Sequence, residues 1–531
     1  MLMPMQPTVA DSIAQIFRLV QASRGTEAET AARTLQRQFP ARGDANETLA
    51  LVLVNQNRHD EALPFAETAA RAEPKNAGYL INLGRLYLKY ELIEEALPLI
   101  EKAFRLDPSM YQAPLAMGEF FQQTGSGQRA IRYLKQAIAA CPPAARPEIE
   151  LTLADCLSSL GQIDEAEQLY QTLYGIGKLR PFALAQAANL RRSKVGSETF
   201  AALGQELQSP SISPRNRALV HLAMGRIHES SGEYAKAFDH FTQSKAQRSR
   251  DFSLDKFTAA INGNITSFTP DVLRQFEGYG NTSRLPVFIV GLPRSGTTLA
   301  EQIIAAHPKA GGVGELHRIG RMAQGLTEDK GAAHMLARMR EGGPERCRIL
   351  ADGYVSLLKF LAPGAKRVVD KMPHNFVAIG LIAIFFPNAR IVHCVRHPAD
   401  NFISAYQNMM NSNHSYSYAP EDYALYYKEY LRLMRHWQSL VPDRIFTLRY
   451  EDLVANTEEK VRQLLEFLGL PWDSRCLRFH EMGAMVKTFS RQQVRSAVHQ
   501  GSTGRWKNYE SELQPLFKIL QGETGMQDGN S

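Results

Sequence analysis

Cysteine is scarce and scattered. The five in 531 residues (Cys141, Cys156, Cys347, Cys394 and Cys476) are odd in number and form no CxxC pair, so neither a disulfide framework nor a zinc site is indicated. Buried thiols in a reducing compartment are the expectation. Long apolar runs are also missing. The best, Ala378 to Phe386, falls far short of the ~20 residues that a membrane-spanning helix needs. The opening MLMPMQPTVADSIAQIFRLVQ lacks the basic and then apolar segments of a secretory leader. A cytoplasmic chain without a membrane span is therefore expected. Charge of one sign is nearly balanced as well: 61 Lys and Arg against 54 Asp and Glu leave +7. That excess suits an anionic ligand or acidic partner and is too small to argue for nucleic acid.

What is present is ordinary globular composition, 44% hydrophobic and 22% charged, which excludes a disordered or collagen-like chain. At roughly 100–200 residues per domain, two to four folding units are expected. Self-similarity marks the first of them. Pro40, Pro74, Pro108 and Pro142 are spaced by 34, and Ala28, Ala62, Ala96 and Ala130 keep the same period. Within one period Leu80, Leu83, Leu86 and Tyr87, then Ala96, Leu99, Ile100 and Ala103, recur at helical spacing. Gly84 and Ala96 are small where two helices must approach closely, and proline ends the second helix. The pattern resembles the tetratricopeptide repeat. It returns at Leu153 to Tyr170 and at Leu222 to Phe241, with Gly175 to Arg217 helical but off-pattern. The resemblance implies an α-superhelix over residues 1–265 whose concave groove holds a peptide or protein, either an acceptor or another partner. The alternatives are that the array packs against the second domain or forms a homodimer.

After about residue 265 the composition changes. Asn281 to Arg284 is a polar linker, and PVFIVGLPRSGTTLAEQIIAAHP follows. The run Val287 to Val290 predicts a buried central strand, Gly291 to Thr298 a turn, and Leu299 to Ala306 a helix. A strand, a glycine-containing loop and a helix N-terminus make an anion cradle, because free backbone N–H groups converge at the positive end of the helix dipole. The loop keeps GxxxxG spacing, but Thr297 stands where a P-loop nucleotidase carries lysine. An ATP-dependent kinase is thereby disfavoured, and Arg294 supplies the positive charge instead.

PRSGTT resembles the phosphosulfate-binding loop of the sulfotransferases, and residues 285–522 are identified as a domain of that kind. The likeness extends to the tyrosylprotein enzymes through Pro293 to Leu299, then Ala306-His307-Pro308, then Gly314-Glu315. It implies a P-loop-like α/β domain with a parallel sheet, following the tetratricopeptide-type α-solenoid. It also implies 3′-phosphoadenosine 5′-phosphosulfate as co-substrate and no metal. By the same likeness Arg294, Ser295, Gly296, Thr297 and Thr298 hold the 5′ side of the nucleotide. Arg396, ending the apolar strand ARIVHCV, and Ser404, on the next helix, grip its 3′-phosphate. Tyr450 in LRYEDL and Arg505 in GRWKNY complete the nucleotide site, while Lys371 in VVDKMP and Ser490 in KTFSRQQV match catalytic positions.

Sulfuryl transfer is an in-line displacement with charge building on the leaving phosphate oxygen. Glu315 is the expected base, its pKa raised by burial. Arg294, Lys371 and Ser490 are the groups expected to meet the developing charge. His393, His397 and His414 form no HxxH arrangement and are read as structural, with His397 near the nucleotide. The tyrosylprotein enzymes carry two adjacent carboxylates where this chain has Glu315-Leu316, together with a membrane anchor and paired cysteines, so tyrosine, carbohydrate and lipid hydroxyls all stay open as acceptors. A scaffold with an inactive, nucleotide-binding second domain is the competing reading, and the intact Arg294, Glu315, Lys371 and Ser490 weigh against it.

Overall fold

A computed structural model describes residues 8–90, 92–190, 195–327, 330–410, 412–482 and 500–521. It resolves into two compact units, Met1–Leu153 and Ala154–Ser531.

The first unit is a series of helical hairpins. Their second helices span Gly25–Gln38, His59–Ala72, Ile93–Leu106 and Gly127–Ala140, so each begins 34 residues after the last. The fourth residue of each is the periodic alanine (Ala28, Ala62, Ala96, Ala130), fully buried where the paired helix crosses. The periodic prolines stand two residues beyond each helix end, where a missing N–H costs no helical bond. Close approach sets the remaining pattern. A Cβ at Gly84 would lie 2.6 Å from Cγ1 of Ile100, and one at Gly118 would lie 2.8 Å from Cγ of Leu134.

The second unit opens with further helices, among them Arg180–Leu190 and Ser197–Gln208 in the off-pattern stretch. A hairpin of α1 (Pro214–Ser230) and α2 (Tyr234–Ala246) then repeats the first unit's geometry. Ser213 caps α1 by accepting from the Asn216 amide at 3.2 Å. A Cβ at Gly225 would lie 2.5 Å from Cε1 of Phe241, across the same sixteen-residue offset as Gly84–Ile100.

Behind the hairpin lies a sheet of five parallel strands in the order β2–β3–β1–β4–β5: β1 (Pro286–Gly291), β2 (Ala310–Gly312), β3 (Arg367–Lys371), β4 (Arg390–Val395) and β5 (Ile445–Arg449). β1 is central and buried on both faces, as its unbroken apolar run requires. Val287 and Ile289 pack with Ile303, Val392 and Leu464 on one face. On the other, the Phe288 ring stacks on Tyr354 at 5.8 Å. Helices α3 (Thr297–Ala305), α4 (Pro398–Tyr406), α5 (Pro420–Leu440) and α6 (Tyr450–Ala455) accompany the strands. Because every strand is parallel, all carboxyl ends share one edge. From β1 the chain fills β2 and β3 on one side and then crosses to β4 and β5 on the other, which opens a crevice at that edge.

Gly225→Ala should lower stability by about 1–3 kcal/mol, since the Phe241 ring is fully buried and cannot retreat. A falling thermal midpoint checks this; an unchanged one would show that the hairpin is loosely packed.

Candidate active site

The loop between β1 and α3 is held in an uncommon backbone shape. Gly296 caps α3 at φ 95°, and a Cβ there would also lie 2.8 Å from Cδ2 of Tyr450, so glycine is required twice over. Arg294 sits in the left-handed region at φ 73° without glycine's freedom, a strain of order 1–3 kcal/mol that the surroundings must hold. Helix α4 braces the turn. Arg294 Nε donates to Ser404 Oγ at 3.0 Å, and Asn401 Nδ2 donates to the Pro293 carbonyl at 2.9 Å. Ser295 N donates to Leu292 O at 3.2 Å, so one of the expected cradle amides is used within the loop. The Ser295 hydroxyl is buried with no partner among the described residues. Thr297 and Thr298 open α3, where leading amides lack carbonyls of the previous turn.

Arg396, directly after β4, is buried beside this loop. Its Nη1 donates to Arg294 O at 3.1 Å, its Nη2 donates to Ser502 O, and its guanidinium lies 4.8 Å from the Tyr450 ring centre. Its Nε has no partner among the described residues. Burial pushes its pKa down, opposed by the charge of Asp400. The Asp400 carboxylate is itself engaged by main chain, accepting from Gly504 N at 2.7 Å and Trp506 N at 3.0 Å. The Trp506 ring stacks on His397 at 5.4 Å, and His397 N donates to Glu451 Oε1 at 2.9 Å. The chain around residues 502–506 is thus laid over Arg396. Arg505 takes a different direction from its expected phosphate role: its Nη2 donates to Glu229 Oε1 and, at 3.0 Å, to Gln407 Oε1. Ser490 lies outside the described residues.

Across the edge, Lys371 ends β3 and its Nζ pairs with Glu315 Oε1. The lysine side chain is 1% exposed and the glutamate 41%. The burial expected of Glu315 is therefore missing, because Glu315 stands at the open end of the pair. Two buried carboxylates that the sequence reading missed position it. Glu301 Oε1 accepts from Gly314 N at 2.8 Å and Asp370 Oδ1 from Leu316 N at 3.3 Å, while Lys371 N donates to Gly314 O at 2.8 Å. Asp370 is held in turn by the Tyr354 hydroxyl at 2.7 Å. The available signal was an acidic residue inside each of two apolar stretches, TTLAEQIIA and VVDK.

The histidines divide. His393 is a core residue whose ring meets the Tyr430 hydroxyl, and burial pushes its pKa down to about 4. His414 lies 4.7 Å, ring to ring, from His374. Burial pushes His414 down to about 4, against the pull of the Glu315 charge, and His374 to about 3. Both are neutral at pH 7, and His414 lies close enough to Glu315 to feel its charge. Among the described residues no group of three or more His, Cys, Asp or Glu could hold a metal, and no helix is long and apolar enough to cross a membrane.

This edge gathers a strained arginine loop, a buried arginine and a lysine–glutamate pair, within a stretch of chain that is similar to known proteins. Residues 286–474 match the sulfotransferase family, and residues 18–77, 81–145 and 122–174 match the tetratricopeptide repeat. The chain carries tetratricopeptide repeats followed by a sulfotransferase-family domain. An uncharacterized protein of Aquifex aeolicus is 30% identical over 416 residues, 76% of this chain and 54% of that protein. Protein-tyrosine sulfotransferase A of Caenorhabditis elegans is 24% identical over 225 residues, 40% of this chain and 56% of that protein. The sulfotransferase domain from the Synechococcus PCC 7002 olefin synthase is 22% identical, covers 43% of this chain and 89% of that chain, and gives a TM-score of 0.31. The chain spans about half the length of these curated relatives.

Four histidines of the second unit, His221, His374, His393 and His414, have pKa values pushed down to between about 3 and about 4 by burial. Unfolded histidine titrates near ~6.5, so the unfolded chain binds more protons below that pH. Their contribution is whole above pH ~6.5 and is lost as pH falls toward ~4. All three tryptophans, Trp437, Trp472 and Trp506, lie in this unit, so their fluorescence reports its unfolding alone. The urea midpoint read this way should fall from pH 6.5 to 5; a flat profile would contradict the burial of these rings.

Proposed function

We propose that the second unit transfers a sulfuryl group from 3′-phosphoadenosine 5′-phosphosulfate to an acceptor hydroxyl, with protein tyrosine as the acceptor. The observation that carries this is the convergence of Arg294, Lys371 and Arg396 at one carboxyl edge, with the Arg396 Nε and Ser295 Oγ buried and unpartnered among the described residues. Buried polar atoms of this kind call for a partner of opposite character, and a nucleotide with phosphates at two positions supplies it. The 5′-phosphate belongs at the loop and the start of α3. The 3′-phosphate belongs between Arg396 and Ser404, whose hydroxyl accepts from Arg294 and keeps its own proton to donate. Tyr450 walls the site beneath the Arg396 guanidinium.

In the reaction the acceptor oxygen bonds to sulfur as the bond from sulfur to the 5′-phosphate oxygen breaks, releasing 3′-phosphoadenosine 5′-phosphate. Glu315 takes the acceptor's proton. Lys371, paired with Glu315 before reaction, turns its charge toward the bridging oxygen as that oxygen becomes negative, with Arg294 beside it and Ser490 added from the closing segment. The tyrosine acceptor is suggested by the names of relatives such as the C. elegans enzyme. The repeats supply a groove for a protein acceptor or partner. Four buried, unoxidised cysteines are compatible with a cytoplasmic setting.

With labelled sulfuryl donor and a tyrosine acceptor, Glu315→Gln should cut turnover by roughly 10²–10⁴ while nucleotide affinity barely changes. A more acidic phenol should partly restore the glutamine variant and leave Lys371→Ala slow, because only the first lacks a base. Near-normal turnover of Glu315→Gln would move the base elsewhere, and no transfer by the intact chain to any acceptor fraction would favour an inactive scaffold. Arg396→Ala should weaken binding of the product nucleotide by about 10- to 150-fold, since a charge-assisted contact is lost. Calorimetry showing equal affinity would remove Arg396 from the site.

A further inference from the structure

The hairpin α1–α2 lies outside the stretch that matches the sulfotransferase family, yet it grips that domain at one place. Helix α4, which brings Asp400 and Ser404 to the donor side, ends at Tyr406, and carbonyls following a helix end need donors. The hairpin provides them. Arg226 Nη2 donates to Gln407 O at 2.7 Å and to Asn408 Oδ1 at 2.8 Å, and Lys245 Nζ donates to Asn408 O at 2.6 Å. Thr242 and Tyr406 share a hydroxyl contact of 2.8 Å. One turn along α1, Glu229 Oε1 accepts from Arg505 Nη2, from Gln407 Nε2 and, at 2.8 Å, from the Tyr509 hydroxyl. The Glu229 side chain is 13% exposed, so these bonds are made largely out of water, where a charged acceptor is most effective.

We propose that Glu229 is a positioning residue for the donor site: through Arg505 and Tyr509 it fastens residues 502–509 over Arg396. Around that anchor the same segment offers Ser502 O to Arg396 and the amides of Gly504 and Trp506 to Asp400. The segment is therefore fixed on the sulfotransferase domain at Arg396, His397, Asp400 and Gln407, and on a repeat-type hairpin at Glu229. Removing the hairpin contact leaves Trp506 and Ser502 attached to groups that also face the nucleotide. The hairpin is then part of the donor site, and a sulfotransferase domain cut free at residue 285 would bind its nucleotide poorly. The inference rests on the donor reading given above and adds a residue that touches neither nucleotide nor acceptor.

The test uses the full chain, with Glu229→Ala and the milder Glu229→Gln, which keeps the shape and removes the charge. Hydrogen exchange is followed over residues 502–509 and, as an internal control, over β1 and β4; binding of 3′-phosphoadenosine 5′-phosphate is measured by calorimetry. The expected result is faster exchange at Gly504 and Trp506, unchanged protection of β1 and β4, and nucleotide affinity reduced by roughly 3- to 30-fold, with the glutamine variant between wild type and alanine. Unchanged exchange in residues 502–509 would overturn the fastening. Faster exchange with unaltered nucleotide affinity would overturn the positioning role, as would a loss of protection spread evenly into β1 and β4. Failure of the wild-type chain itself to bind the nucleotide would instead overturn the donor reading on which the inference rests.

Discussion

The buried guanidinium of Arg396 is the point on which the second unit turns. It stands at the end of β4 and reaches the loop after β1, the chain at Ser502 and the ring at the start of α6. A charge taken out of water is costly unless its donors are met, and here two terminal nitrogens are met by carbonyls rather than by a carboxylate. Asp400, whose charge opposes the cost of that burial, is itself taken up by the amides of Gly504 and Trp506. Parallel strand direction sets where Arg396 stands: β1, β3, β4 and β5 all deliver their last residues to one edge, and those residues include Gly291, Lys371, Val395 and Arg449. The strained loop at Arg294 is tolerable because α4 holds it from behind through Ser404 and Asn401.

The two sides of the edge are built by different means. On one side, the Arg396 guanidinium is held by two main-chain carbonyls and the face of Tyr450. On the Lys371 side, carboxylates buried at Glu301 and Asp370 grip the amides flanking Glu315 and so hold it rigidly while leaving it open. A buried carboxylate bonded to main-chain amides orients a segment more stiffly than an exposed ion pair, which gains little in water. Neutral His374 and His414 border this side without adding charge.

Much of this was legible in the sequence, for local reasons. The 34-residue period is visible because each hairpin solves the same packing problem with the same small residues, so Ala28, Ala62, Ala96 and Ala130 fall in register. The loop and Arg396 are visible because strand, turn and helix follow one another directly. What escaped depends on distance along the chain. Arg505 meets Glu229 from 276 residues away, and no pattern near either residue indicates the other. Asp370 reads as one more polar residue in a strand until its partners Tyr354 and the Leu316 amide are seen. Residues 222–241 look like another repeat, as they are in local geometry, but a repeat pattern describes how two helices pair and not which core they join.

The edge is proposed as a site for an adenosine nucleotide phosphorylated at both the 3′ and 5′ positions. The most direct measurement is calorimetric titration of the full chain with 3′-phosphoadenosine 5′-phosphate and with adenosine 5′-phosphate. The buried Arg396 requires the bisphosphate to bind at least about 10-fold more tightly, as expected for a charge-assisted contact made out of water. Equal affinity for the two, or no binding of either, would contradict the account.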